Sequence, residues 1–357
     1  MAHVQSIRVG FAGTANLELR GKRVSPALAN CLEKTGYVIS EDIDVDVLIN
    51  INHNWRSVSE LEDSKKVRRT LKILIRLEPS SVYPSQYTNE VESLYDLILT
   101  PGSVGDPSQK DFLRWPYNYN LDPSSPSDFT PNPIDVFWEN RKVGKYNFAN
   151  WGQRSIECSL IAANKVSPNG SGNYGLRRSF AFEDLDGCLS VYGQLWDVSF
   201  FSRLRYRLAV LKFAIQSKSD YKIRHIFSDF SKKFKNARGQ IQDKHEVIAQ
   251  SKYSLVIENT NNYISEKLFD ALVGGSIPIY FGPSLVNTGV PEDLVIRCNP
   301  SGANLVEIVR NTNENEVKRI LAGIEGFLSG DEFPLWVSAA VNLEICTKID
   351  EFVRSCA

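Results

Sequence analysis

Between residues 254 and 283 the chain reads SLVIENTNNYISEKLFDALVGGSIPIYFGP, an apolar strand, a polar crossing, a short helix and a second apolar strand. The crossing gathers Glu258, Asn259, Tyr263, Glu266 and Lys267 into one short stretch. Ligands of open α/β sheets bind beyond the carboxyl ends of the strands, which is where residues following SLVI must stand. Ser265 suits the N-cap of a helix that starts at Glu266, and Gly274-Gly275 suits its stop. The free N–H groups and positive dipole end of such a helix favour an anion such as a diphosphate. That dipole disfavours Lys267 in the first turn, so an anionic ligand explains a cation there better than helix stability does. Spacing leaves a second reading open, in which Glu266 is a favourable first-turn acid and Lys267 a solvated surface residue.

Elsewhere, Glu78 in LKILIRLEPSSVYPSQY precedes a proline. The residue before proline is forced extended, so the strand ends there and Glu78 stands at its carboxyl edge, facing a cleft. Arg177 and Arg178 follow a Gly-rich stretch, SPNGSGNYGLRR. A guanidinium fork suits a diphosphate, with a solvated helix face as the plain alternative. Asp42, Asp44 and Asp46 form overlapping Asp-x-Asp patterns, a metal-nucleotide signal in some sugar transferases. Alternation puts Asp44 and Asp46 at a strand entry, and a solvated edge is the better reading. His225 and His245 have no partners at useful spacing, and EDLDG (183–187) reads as a turn.

These residues need elements to hold them. Four apolar runs, SIRVGFAG (6–13), VDVLINI (45–51), LKILIRL (71–77) and YDLILTP (95–101), have the continuous β-branched character of parallel strands buried on both faces. A Pro-, Ser- and Asn-dense linker follows at 117–142. A second series comprises 156–164, 188–193, 253–259, 276–282 and 293–298, and the helix 313–328 places Val317, Ile320, Leu321, Ile324 and Leu328 on one face. Strands spaced by crossovers imply doubly wound sheets. The expected organisation is an α/β domain over 1–140, a second over 141–330, and a helical segment, 331–357, packing back on them. Two such domains leave a cleft between them.

A length of 357 residues with 42% hydrophobic content supports two cores. With 41 basic and 42 acidic residues the net charge is -1, which gives no global reason to expect nucleic acid. Six cysteines are scattered without a C-x-x-C pair, as free thiols in a reducing compartment would be. No signal peptide or run of about 18 apolar residues is evident, so a soluble, cytoplasmic protein is expected. The sequon at Asn169 then carries no weight. The segment 201–239 mixes basic and aromatic residues; Arg203 and Arg207 with Leu204, Leu208 and Leu211 suggest a basic amphipathic helix for peripheral membrane contact, or an ordinary helix packed on the second domain.

The run Glu258-Asn259-Thr260, then Tyr263-Ile264-Ser265-Glu266-Lys267, closing on IPIYFGP, resembles the donor-binding signature of the family 10 glycosyltransferases, the α1,3/α1,4-fucosyltransferases. That pattern is approximately Glu-Asn-Ser, a few residues, Tyr-(Ile/Val)-Thr-Glu-Lys and an apolar strand ending in Gly. Thr260 and Ser265 are conservative departures, and the spacer before Tyr263 is shorter than in some members. QDKHEVIAQSKYSLVIEN resembles the family's lead-in and brings in Lys244; Ala163-Asn164 stands where the family has Ser-Asn. Arg177 with Phe180 fits the family's Arg-x-x-aromatic spacing better than Arg178 does. Glu78 lies in a stretch like the family's Gly-Glu-Asn turn, with Leu77 and Pro79 in place of Gly and Asn, and FLRWPYNY (112–119) is similar to a nearby family segment.

The resemblance implies a GT-B-like fold of two Rossmann-like domains and inverting transfer of L-fucose from GDP-β-L-fucose to an oligosaccharide or glycoconjugate acceptor in glycan biosynthesis or protein glycosylation. Glu78 is the implied general base. Arg177, Lys267 and the helix N-terminus would neutralise the leaving diphosphate, and Glu266, Asn259 and Tyr263 would bind the donor. Arg178, Glu258, Asn164 and Lys244 are secondary candidates. No metal is required for chemistry, a divalent cation having at most a stimulatory part. Two alternatives stand beside it: a retaining GT-B transferase using the Glu258-x7-Glu266 spacing, and a non-catalytic GDP-sugar or glycan binder on the same scaffold.

Overall fold

A computed structural model describes residues 6–13, 25–42, 44–53, 58–59, 69–101, 112–113, 148–183, 185–216, 221–228, 230, 233–286, 288–331, 333 and 338–356. The linker expected at 117–142 lies outside the described residues, as does most of FLRWPYNY.

The first sheet holds β1 (Arg8–Gly13), β2 (Val38–Ser40), β3 (Val47–Ile51), β4 (Leu71–Ile75), β5 (Leu97–Pro101) and β6 (Phe112–Leu113). They pair in parallel in the order β2-β1-β3-β4-β5-β6. Helices α1 (Pro26–Lys34) and α2 (Asn89–Glu92) accompany them. Of these strands the short edge pieces β2 and β6 are not legible as apolar runs, because three and two residues are too few to carry a period.

The second sheet holds β7 (Ile156–Ile161), β8 (Leu189–Tyr192), β9 (Ala237–Gly239), β10 (Ser251–Ile257), β11 (Ile277–Phe281) and β12 (Ile296–Arg297). Its order is β12-β11-β10-β7-β8-β9, all parallel. Renumbered within the domain this is 6-5-4-1-2-3, a doubly wound sheet whose order reverses between β7 and β10. Its helices are α3 (Tyr174–Phe182), α4 (Phe200–Gln216), α5 (Ile223–Ile226), α6 (Lys244–Ala249), α7 (Glu266–Val273), α8 (Gly302–Asn311) and α9 (Glu314–Ser329). The α9 face expected to pack does so: Val317, Ile320, Ile324 and Leu328 are buried.

Each sheet has its own apolar core. The first includes Val9, Phe11, Ile49, Ile73 and Leu99 together with Val341, Ile345, Ile349 and Val353 from a last helix, α10 (Ser338–Cys356). The chain thus returns to its first domain at the end. The Tyr37 hydroxyl donates to Asp350 Oδ1 at 2.8 Å and fixes that return. Among the described residues no helix is long and apolar enough to cross a membrane. The two facing doubly wound domains are the GT-B-like layout expected from the sequence.

The halves meet at Tyr263 and at Gly172, among other places. Tyr263, on the crossing after β10, is buried within the core of the first domain, and its hydroxyl donates to the Leu77 carbonyl at 3.4 Å. Gly172, at φ +78°, passes so near the Asn259 carbonyl and the Ser81 side chain that a Cβ would collide with both. Removing the ring in Tyr263→Ala is expected to lower the unfolding free energy by about 3–5 kcal/mol, as for other buried aromatics. Tyr263→Phe loses one long hydrogen bond, worth at most about 1 kcal/mol. Urea unfolding of both variants checks this, and equal losses would contradict it.

Candidate functional site

The crevice at the reversal between β7 and β10 is the position that sheet topology reserves for a ligand, and a pocket opens there. Its second-domain wall comprises Ser159 and Ile161 on β7, Ala162, Ala163 and Lys165 after it, Tyr174 and Arg177 on α3, Lys244 and Ile248 on α6, Ser254 to Val256 on β10, Asn259, and Glu266, Lys267, Asp270 and Ala271 on α7. The first domain adds Glu78 and Val82.

Helix α7 forms as its residues dictate. Ser265 Oγ accepts from the Lys267 N–H, Leu268, Phe269 and Leu272 bury the apolar face, and Gly275 takes the left-handed φ of +68° just past the end. Burying two leucines and a phenylalanine contributes about 1.5–3 kcal/mol each. The helix is thereby anchored with its N-terminus at the pocket, and Glu266 and Asp270, one turn apart, share the pocket face.

Positive charge converges on that end. The Arg177 guanidinium is buried, donating through Nη2 to the Ile257 carbonyl at 2.7 Å and to Asn259 Oδ1 at 2.6 Å. Its Nε is buried without a hydrogen-bond partner among the described residues, a donor that an anion could satisfy. Burial holds the Arg177 pKa below its ordinary value, Tyr174 and Glu258 opposing. Lys267 Nζ donates to Ser265 Oγ at 2.8 Å and lies 4.0 Å from carboxylate oxygens of both Glu258 and Glu266. Lys244 Nζ meets Asp270 Oδ2 at 2.6 Å. Burial alone would lower the Lys244 pKa, but Asp270 and then Glu266 raise it. Asp270 is itself pushed up to about 6 by burial, against the pull of Lys244. Glu266 ends below the usual carboxylate range, because burial, which would raise it, is outweighed by Lys267, Lys244 and Arg177.

Opposite stands Glu78. Its carbonyl accepts from Gln86 Nε2 and from the Tyr87 hydroxyl, both at 2.9 Å. Arg76 braces the same loop, lying over the Tyr87 ring and pairing with Glu92 at 2.7 Å. The backbone at Glu78 is therefore fixed while its carboxylate lines the pocket. Burial raises its pKa, Lys165 lowers it, Glu266 raises it and Lys267 lowers it, in that order.

The structure brings together Glu78, Arg177, Asn259, Glu266, Lys267 and Lys244. It does not bring the other sequence-derived residues to the pocket. Tyr263 is turned into the first domain's core, as its aromatic ring finds more apolar contact there than in a charged cleft. Glu258 is fully buried below the crossing and accepts from the Ser265 N–H at 2.9 Å, so it orders the start of α7. Burial raises its pKa, with Lys267 the main opposing charge. Asn164 is buried and donates to the Leu195 carbonyl at 3.2 Å. Arg178 points to the other side of α3, toward the Lys165 carbonyl at 2.8 Å and Ser228 Oγ at 3.3 Å; adjacent helix positions diverge by about 100° and cannot both face one pocket. Neither arginine lies on a solvated face. The Asp-x-Asp residues are elsewhere: Asp46 accepts from the Arg8 N–H and Asp42 pairs with its guanidinium, both at 2.8 Å.

Sequence reasoning missed Asp270, Lys165 and Tyr174. Asp270 carried a usable signal, since it follows Glu266 by one helical turn. Lys165 and Tyr174 had none, because their positions depend on how the Gly-rich stretch folds over β7.

Two doubly wound domains meeting at a pocket, with a carboxylate on one wall and arginine and lysines on the other, define an α/β protein with an anion-receptive cleft. No protein-family profile matches the chain. An α-(1,4)-fucosyltransferase of Arabidopsis thaliana is 50% identical over 54 residues, covering 15% of this chain and 14% of that protein. GDP-fucose protein O-fucosyltransferase 3 of Danio rerio is 29% identical over 80 residues, 21% of this chain and 18% of that protein. The chain thus matches less than a fifth of the length of each of these relatives. A crystal structure of an α1,3-fucosyltransferase with GDP-fucose superposes with a TM-score of 0.46 at 12% identity, covering 93% of both chains. The resemblance to fucosyltransferases is accordingly present in curated sequences, over short segments.

Proposed function

We propose that this protein is an inverting fucosyltransferase that moves L-fucose from GDP-β-L-fucose to a hydroxyl of a glycan acceptor. The observation that carries the reading is the pairing, across one pocket, of a raised-pKa carboxylate from the first domain with Arg177, Lys267 and Lys165 from the second. Glu78 takes the proton of the acceptor hydroxyl as its oxygen bonds to the anomeric carbon. The bond from that carbon to the diphosphate breaks on the opposite face, through an oxocarbenium-like transition state. The departing GDP carries its new charge to Arg177, Lys267 and the α7 N-terminus, which are fixed before the reaction begins. Glu266 and Asn259 accept and donate hydrogen bonds to the donor's hydroxyls. The short matches to fucosyltransferases support the choice of sugar.

A retaining reaction through the Glu258 and Glu266 pair is disfavoured, because Glu258 is buried under the crossing and committed to the Ser265 N–H. A thermal-unfolding panel of nucleotide sugars tests the donor. GDP-fucose and GDP are expected to raise Tm by several degrees at about a hundred times Kd, where binding contributes about 2.7 kcal/mol. Stabilisation by UDP sugars and not by GDP-fucose would overturn the assignment.

A further inference from the structure

Of the two sequence readings of helix α4, the basic amphipathic face built on Arg203 and Arg207 is not the one the helix presents. Arg207 is 0% exposed, and Arg203 is half-buried with its guanidinium on the Phe230 carbonyl at 2.8 Å. The outward ridge is instead apolar. Phe201, Leu208 and Ile215 are 78%, 50% and 55% exposed and recur every seven residues, so they stand in line along one side of the helix. Leu204 and Leu211 lie between them, half-buried. Arg205 and Lys212, both exposed, flank that ridge, and α4 contains no acidic residue. Helix α5 packs against α4 and adds exposed Ile223 between exposed Lys222 and Arg224.

We propose that this face of α4 and α5 seats the protein on an anionic membrane surface. Apolar side chains on a cationic helix suit the boundary of a bilayer, where the ridge enters the acyl region and the flanking cations stay at the headgroups. A second copy of the chain fits less well, because a symmetric helix pair would set the Arg205 and Lys212 rows against each other. The ridge also spans only about two heptads, short of the three or four a stable coiled coil uses, whereas the apolar surface continues off the helix at Ile223.

The seat adjoins the pocket mouth. The Tyr206 hydroxyl, on α4, accepts from the Val166 N–H at 3.2 Å, next to pocket-lining Lys165. The Phe213 ring lies 5.8 Å from that of Tyr83, next to pocket-lining Val82. A bilayer under α4 would therefore bring the cleft to an acceptor held at the membrane; that consequence rests on the transferase reading, while the seat itself does not.

Flotation of the whole protein with phosphatidylcholine vesicles, with and without about a third phosphatidylserine, tests the seat. Binding is expected to the mixed vesicles, to fall by about tenfold or more on raising salt to about 0.5 M, and to fall as far in Phe201→Ser/Leu208→Ser and in Arg205→Glu/Lys212→Glu. Both double variants change exposed residues outside the pocket, so their unfolding midpoints and their stabilisation by GDP should match the parent. Equal flotation of parent and variants, or no flotation of the parent with either vesicle, overturns the proposal. So does a parent oligomer in size-exclusion chromatography that Phe201→Ser/Leu208→Ser dissolves without any vesicle binding, which would assign the ridge to protein pairing. Loss of GDP stabilisation in the parent would sink the donor reading and leave the membrane result standing.

Discussion

Glu78→Gln is expected to lower the rate of fucosyl transfer by about 10²–10⁴-fold, the range that a positioned general base supplies, while GDP affinity stays within about twofold. The amide keeps the shape and loses only the ability to take a proton, and the backbone at 78 is held by Gln86 and Tyr87, not by the carboxylate. The pH profile carries the stronger signature. Burial raises the Glu78 pKa, so in the parent the rate should fall with falling pH at a value above the ordinary carboxylate range. In Glu78→Gln that limb should vanish. The stability effect has the opposite sign to that of a salt-bridged acid. A carboxyl whose folded pKa is raised binds more protons folded than unfolded, so its ionisation costs stability as pH rises through the two values. Glu78→Gln should therefore be at least as stable as the parent at neutral pH. A variant that folds, binds GDP and transfers at the parent's rate would remove Glu78 from the chemistry.

Lys267→Ala is expected to raise the Kd for GDP by about 10- to 100-fold, since hydrogen bonds to charged groups contribute about 1.5–3 kcal/mol and each 1.4 kcal/mol is tenfold. The substitution also removes the cation from between Glu258 and Glu266. With that cation gone, Glu266 loses the largest influence holding its pKa down, and its carboxylate is left facing an incoming diphosphate with the buried Glu258 behind it. The affinity loss should consequently deepen as pH rises and these acids ionise. Lys267→Arg, which keeps the charge, should recover part of the affinity. Calorimetry at two pH values reads both effects, and undiminished binding by Lys267→Ala would end the phosphate role assigned to it.

The central strands of both sheets were legible from their residue types alone, because strands buried on both faces read as near-continuous apolar runs, as in VLINI, which only Asn50 interrupts, and in LVI. So was helix α7: Ser265 could be nothing better than an N-cap, Gly274-Gly275 could hardly continue a helix, and the structure has both. The polar crossing at 258–267 could be assigned to a strand's carboxyl end on topology alone. What its side chains do there could not. Tyr263, Glu258, Glu266 and Lys267 are equally polar or amphipathic in one dimension, yet two of them serve the architecture and two face the pocket.

The reason is that local sequence fixes backbone propensity over a few residues, whereas the direction of a side chain is set by what packs against it from far along the chain. Tyr263 turns away because the first domain offers an apolar core beside Leu77, 186 residues earlier. Arg177 faces the pocket and Arg178 does not because α3 lies against Ile257 and Asn259 on one side and Lys165 on the other. Arg207 is buried and Phe201 exposed, the reverse of their hydropathy, because α4 is placed by the domain beneath it. Sequence alone determined that this chain makes two doubly wound sheets with a charged crossing at one strand end. Only the folding of one domain against the other decided that Glu78 would meet that crossing across a single pocket.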